Sequence, residues 1–167
     1  ISVRDWSSDV CSSDLEVGAQ VERLVLWQPV TNGRQHTEQF LRLRVAAAMV
    51  GGKPAVTTRD LREMLARGET VEVAGYGLNP ELIAAIDARD LQNGAPSAGV
   101  PVRWLELVQE PGRGLGVASQ RVIAAWRERG TAVEAEDVVG PQFWSTVEIT
   151  VAPALVEGTT GWVAERR

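Results

Sequence analysis

The segment Gly112-Arg113-Gly114-Leu115-Gly116 comes nearest to a cofactor site. It lies between a stretch that reads as a strand and one that reads as a helix, with Glu134 twenty residues beyond Gly114. That is the layout of a dinucleotide-binding turn followed by its ribose-binding carboxylate near the end of the next strand. The fingerprint also needs a small residue three places after its second glycine. Val117 stands there and would crowd helix against strand. A flexible loop at the carboxyl edge of a sheet is the better reading, and no cofactor is expected.

Serine chemistry has three candidates. Ser97, in Ala95-Pro96-Ser97-Ala98-Gly99, misses the G-x-S-x-G nucleophile elbow only at its first glycine. An elbow must follow a strand and open a helix, whereas Ser97 precedes a strand, so it reads as a loop serine. Ser119 and Ser145 read as helix-start residues whose hydroxyls accept backbone N–H bonds.

His36, the only histidine, falls just inside a helix. Alone it builds no metal site, and no metal is expected; as a general base it would need a nucleophile brought to it in space. Glu106 and Glu110, near the end of a strand, could orient such a base, or be ordinary rim carboxylates. Tryptophans 27, 104, 126, 144 and 162 read as packing residues, while Trp144 beside Phe143, in a loop after a strand, could line a pocket.

These residues need a scaffold. The chain has 167 residues, of which 44% are hydrophobic, enough for one domain with a real core. Seventeen basic against 22 acidic residues leave a net charge of -5, which excludes a general nucleic-acid or anionic-membrane surface as the default. The longest apolar run, Val45 to Val50, falls far short of the ~20 residues of a membrane span. A soluble protein is expected. Residues 1–15 repeat Ser-Ser-Asp and hold five of the eight serines. They read as the translation of a sequencing adapter at the end of an environmental gene fragment, not as a signal peptide, and as disordered. With them goes Cys11, the only cysteine, so disulfides and thiol catalysis are not expected and a reducing, cytoplasmic setting fits.

Hydrophobic patterning assigns the rest. In the strand predicted at about 23–27, the run Leu24 to Trp27 after Arg23 is apolar on both faces, as in a central parallel strand. A helix is predicted over Gln35 to Val50. Thr57 or Thr58 caps a second, short helix ending at Gly68. Val71 and Val73 alternate with Glu72 as an edge strand, and Pro80 opens a helix through Leu91. Strands 100–108 and 131–139 flank a helix from Ala118 to Arg129, which implies a parallel pair. Pro153 makes the last helix kinked or late-starting. The class is α/β.

Three segments carry a resemblance: RLVLWQPVTNGRQHTEQFLRLRVAAAM at 23–49, VEVAGYGLNPEL at 71–82 and VVGPQFWSTVEITVAPALVEGTT at 138–160. With them the chain resembles the C-terminal part of the α/β-hydrolase fold, and within it the bacterial exosortase A system-associated hydrolases of the second type. The resemblance implies that residues 16–167 are a truncated hydrolase domain, that 31 to about 95 form a helical cap inserted over the sheet, and that strands 100–108 and 131–139 are the last two. It implies a missing N-terminal half holding the early strands, the oxyanion loop and the nucleophile, without which the fragment is inactive. Its absence would also leave an aggregation-prone sheet edge.

In this fold the triad acid follows the second-last strand and the histidine the last. Glu110 fits the acid. The second loop reads Gly140-Pro141-Gln142-Phe143-Trp144 and offers no histidine. Either His36 supplies the base from the cap, or no serine is activated in the usual way. Two readings follow: a hydrolase of an ester or acyl substrate in exopolysaccharide and protein-sorting physiology, or an accessory protein that keeps the pocket, lined by Phe143 and Trp144, without the chemistry. Either takes a small-molecule ligand.

Overall fold

The computed structural model describes residues 21–51, 56–145 and 148–165; the adapter-like residues 1–15 lie outside them. In chain order the elements are β1 (Leu24–Trp27), α1 (Gly33–Val50), α2 (Thr58–Ala66), β2 (Val71–Val73), β3 (Tyr76–Leu78), α3 (Pro80–Asp87), β4 (Val102–Val108), α4 (Val117–Glu128), β5 (Val133–Val139), a 3-10 turn (Phe143–Ser145) and α5 (Pro153–Ala164). The class is mixed α/β, with a three-stranded parallel sheet and five helices among the described residues. Val30–Asn93 forms one compact unit, and the stretches ending at Pro29 and beginning at Gly94 form the other.

The sheet unit has strand order β1-β4-β5, all parallel, with Leu24 opposite Val102 and Val102 opposite Val133. Strands β4 and β5 begin two residues later than their hydrophobic patterns imply. Val100 spends its N–H on the Ser97 carbonyl in a turn where Gly99 takes φ +88°. Thr131 likewise donates to the Trp126 carbonyl, closing α4 behind Gly130 at φ +85°. Alternation along β4 puts Val102, Trp104, Glu106 and Val108 on one face and Arg103, Leu105 and Leu107 on the other. Trp104 meets Trp126 of α4 edge-on, ring centroids 5.8 Å apart. On the opposite face Leu105, Leu107 and Val138 pack with Ala152 and Leu155 at the start of α5. That helix starts late, at Pro153, whose missing N–H costs nothing in a first turn.

The helical unit has its own core of Leu41, Leu61, Leu65, Val71, Val73, Leu78 and Ile83. Asn32 starts α1 two residues before the predicted boundary, its Oδ1 accepting the Gln35 N–H at 2.9 Å. Arg62 binds Asp87 and Thr37, and Thr37 in turn donates to Asp87, fastening α1, α2 and α3 together. The strand expected at Val71–Val73 belongs to a separate antiparallel hairpin with Tyr76–Leu78, turned by Ala74 at φ +49° and Gly75 at φ +85°. Paired positive φ values are those of a type I′ turn. The third helix stops at Asp87 instead of running to Leu91, because the next residues close the unit's neck. Leu91 donates its N–H to the Thr31 carbonyl, Gly33 to that of Arg89, and Asn32 Nδ2 to Asp90.

The α2 start is a full capping box: Thr57 Oγ1 accepts the Asp60 N–H at 3.2 Å, and Asp60 returns to the Thr57 N–H at 2.8 Å. The Thr57 N–H foremost, and after it the Thr57 hydroxyl, which donates to Asp60 Oδ2 at 2.8 Å, hold the Asp60 carboxyl below the ordinary aspartate value of 3.8. A carboxyl that ionises more readily when folded contributes fully above its unfolded value and loses that contribution as pH falls through the folded one. Removing the hydroxyl in Thr57→Ala is expected to cost about 1 kcal/mol. Denaturant melts at neutral pH and below pH 3.8 would check both, the difference between wild type and variant narrowing in acid.

Candidate functional site at the carboxyl edge of the sheet

Strand β1 ends on an aromatic residue and a strained one. Gln28 takes φ +45°, a left-handed conformation uncommon for a residue with a side chain. Its N–H donates to the Leu105 carbonyl and its Oε1 accepts the Leu107 N–H, each at 2.8 Å. The side chain thus continues the pairing with β4 after the backbone of β1 has turned away. Trp27 points to the α5 face, where Nε1 donates to Thr159 Oγ1 at 2.8 Å.

Beyond β5, Phe143 joins it. The Phe143 ring stands edge-on to Trp27 at 6.3 Å and to Trp144 at 5.1 Å. Trp27 is 41% exposed and Trp144 48%, so a three-ring chain lies open at the carboxyl edge, where open parallel sheets bind ligands. The sequence marks Phe143 and Trp144 as candidate pocket lining. Trp27 was expected as packing, because a strand apolar on both faces conceals which aromatic ends at the rim.

The glycine loop is settled by its hydrogen bonds. Glu106 Oε1 accepts the Gly116 N–H at 2.8 Å, and Asp137 Oδ2 accepts the Gly114 N–H at 3.2 Å. The two carboxylates are register partners on β4 and β5. A phosphate would need those same amides and would meet two negative charges behind them. Glu134, expected near the end of β5, is its second residue and instead accepts the Trp162 Nε1–H at 3.0 Å. The loop is therefore structural. Gly112 and Gly114 hold φ values of +78° and +72°, and a Cβ on Gly116 would lie 2.9 Å from Glu106 Oε1.

Glu106 satisfies the N–H of the cap residue Gly116 itself, at the start of a helix that has no side-chain cap bond. Glu106→Ala is expected to cost about 1–3 kcal/mol, the worth of a hydrogen bond to a charged group. Faster amide exchange at Gly116, with β1 unchanged, would check it.

The remaining candidates belong to different elements. Glu110 is exposed in the loop after β4, on the sheet unit, and His36 is exposed in the first turn of α1, on the helical unit. Ser97 is an exposed loop residue, as expected. Ser119 is not a cap: it is the third residue of α4, is buried, and Gly116 holds the cap position. Ser145 closes the 3-10 turn instead of opening a helix. Among the described residues no three His, Cys, Asp or Glu side chains gather to hold a metal, and no helix is long and apolar enough to cross a membrane.

No family model, curated protein or solved structure matches the chain.

Proposed function

We propose that the chain is the cap-bearing, C-terminal part of an α/β-hydrolase-type protein, and that the edge at Trp27, Phe143 and Trp144 binds an uncharged acyl or ester-like small molecule. The half-exposed three-ring chain carries this reading. Aromatic rings left in water beside a strained strand end offer a large apolar contact at low entropic cost. The topology supports the fold assignment: the chain leaves the sheet after β1, builds a unit with its own core and a closed neck, then returns to add β4 beside β1 and β5 beside β4. In this reading residues 30–93 are the cap.

Binding without hydrolysis is the reading the residues favour, because the chain's single histidine is not in the sheet unit and an unassisted serine is a weak nucleophile. One observation favours a hydrolase instead, which the sequence resemblance would relate to the exosortase A system: Glu110 follows β4, where the α/β-hydrolase fold keeps its acid. A fluorophosphonate probe on the product of the full-length gene separates the two. Labelling lost in His36→Ala supports a hydrolase with its base in the cap, and labelling that survives points to another base. A folded protein that is not labelled, yet shows a saturable change in tryptophan emission with methyl esters of increasing acyl length, supports binding. Trp27→Ala and Trp144→Ala should then weaken that response roughly tenfold each. No response to any ester would overturn the ligand class.

A further inference from the structure

The C-terminal half of α1 has two apolar sides. Leu41 and Ala48 are covered, with Phe40 and Val45 packed beside them on the core of the helical unit. Leu43, Ala46, Ala47 and Val50 recur at i, i+3, i+4 and i+7, the spacing of one helical stripe, and all four are exposed. Val50 is 91% exposed, Met49 on the adjoining row 72% and Leu43 52%. A second apolar stripe left in water on a helix whose other side already packs on a core marks a surface for a further apolar contact.

The surrounding charge indicates which setting. From Gln39 to Arg59 the chain has no acidic residue, its longest such run although it holds 22 acids overall. Arg42 borders the stripe on its exposed side and Arg44 lies half-buried on the other. Among the described residues neither arginine forms an ion pair. The net charge of -5 does not oppose a local basic patch, because charges farther than about 8 Å are screened at physiological ionic strength.

We propose that this end of α1 attaches to the surface of an anionic lipid bilayer. Leu43, Met49 and Val50 enter the boundary between headgroups and acyl chains, while Arg42 and Arg44 keep their guanidinium groups at the phosphates. A bilayer fits better than a protein partner, since a short apolar stripe bordered by arginines matches the layering of acyl chains under phosphates and needs no surface of matching shape. The attachment is peripheral and independent of the ligand reading above.

The test is sedimentation of the intact chain with vesicles of phosphatidylcholine alone and with about one-third phosphatidylglycerol. Binding should require the anionic lipid and fall as salt is raised. Arg42→Gln should weaken it about fivefold. The triple variant Leu43→Ser, Met49→Ser, Val50→Ser should weaken it at least tenfold, and these exposed positions should leave the circular dichroism unchanged. Should the triple variant misfold, Arg42→Gln decides alone. Absence of binding, equal binding to both vesicles, or binding untouched by Arg42→Gln would overturn the proposal. So would concentration-dependent self-association abolished by the triple variant, which would identify a second copy as the occupant.

Discussion

Gly33→Ala is expected to unfold the helical unit while leaving the sheet unit in place. A Cβ at position 33 would lie 1.8 Å from the Ile86 carbonyl oxygen, 2.8 Å from its carbon and 3.1 Å from the Arg89 oxygen. All three are backbone atoms, so no side chain can swing aside. Relief requires moving the end of α3 away from α1, which breaks the 2.8 Å bond from the Gly33 N–H to the Arg89 carbonyl and loosens the neck. A single methyl group is thereby expected to cost more than about 3 kcal/mol, the range of overpacking combined with a lost buried hydrogen bond. Every tryptophan of the chain falls outside Val30–Asn93, so the measurement separates the units. Far-UV dichroism should lose helix while tryptophan emission holds its native position. A variant with wild-type helix content and an unshifted melt would mean the neck is looser than its distances imply.

Trp104→Ala and Trp104→Phe are expected to differ far more than two truncations of one side chain ordinarily do. Trp104 is fully buried, its neighbours in β1 and β5 are Leu26 and Ala135, and Trp126 stands on its ring. Alanine leaves a cavity where the two indoles met and should cost about 3–5 kcal/mol. Phenylalanine keeps most of the contact and removes a donor that is poorly served: Trp104 Nε1 is buried with no hydrogen-bond partner among the described residues. Such an unsatisfied group carries a burden of about 1–3 kcal/mol. That offsets much of the lost ring area, so Trp104→Phe should fall within about 1 kcal/mol of wild type. Chemical denaturation followed by the remaining tryptophans would decide it. A phenylalanine variant as unstable as the alanine variant would show that the indole nitrogen is satisfied in solution.

Periodicity made the scaffold legible because most elements have a single apolar solution. The strands near 24–27, 102–108 and 133–139 and every helix have counterparts in the sequence pattern. What failed was settled by partners remote in sequence. Tyr76–Leu78 was missed because its strand depends on a turn with Ala74 at positive φ, a residue that gives no such signal. The end of α3 was overrun because Asp90 and Leu91 have partners at Asn32 and Thr31, on the far side of three helices and a hairpin. Phe143 and Trp144 were legible as adjacent aromatics in a loop. Asp137 and Gln28 were not, since an ordinary polar residue discloses its role only when the strand beside it is known. The basic patch on α1 was hidden by averaging, because a net charge says nothing about where the acids are absent.

The closed neck of the helical unit also bears on how the sheet can form. Pairing β1 with β4 requires the chain to close a loop from Gln28 to Pro101. Were the region unstructured, loop closure would draw on all of that length. Once residues 30–93 have folded around their own core, Thr31 and Leu91 already touch, and the loop left to close is only the short stretches on either side. Logarithmic scaling of closure entropy makes the difference about 1–2 kcal/mol. The insertion thus acts as an entropic shortcut, converting a slow, distant strand pairing into a nearly local one.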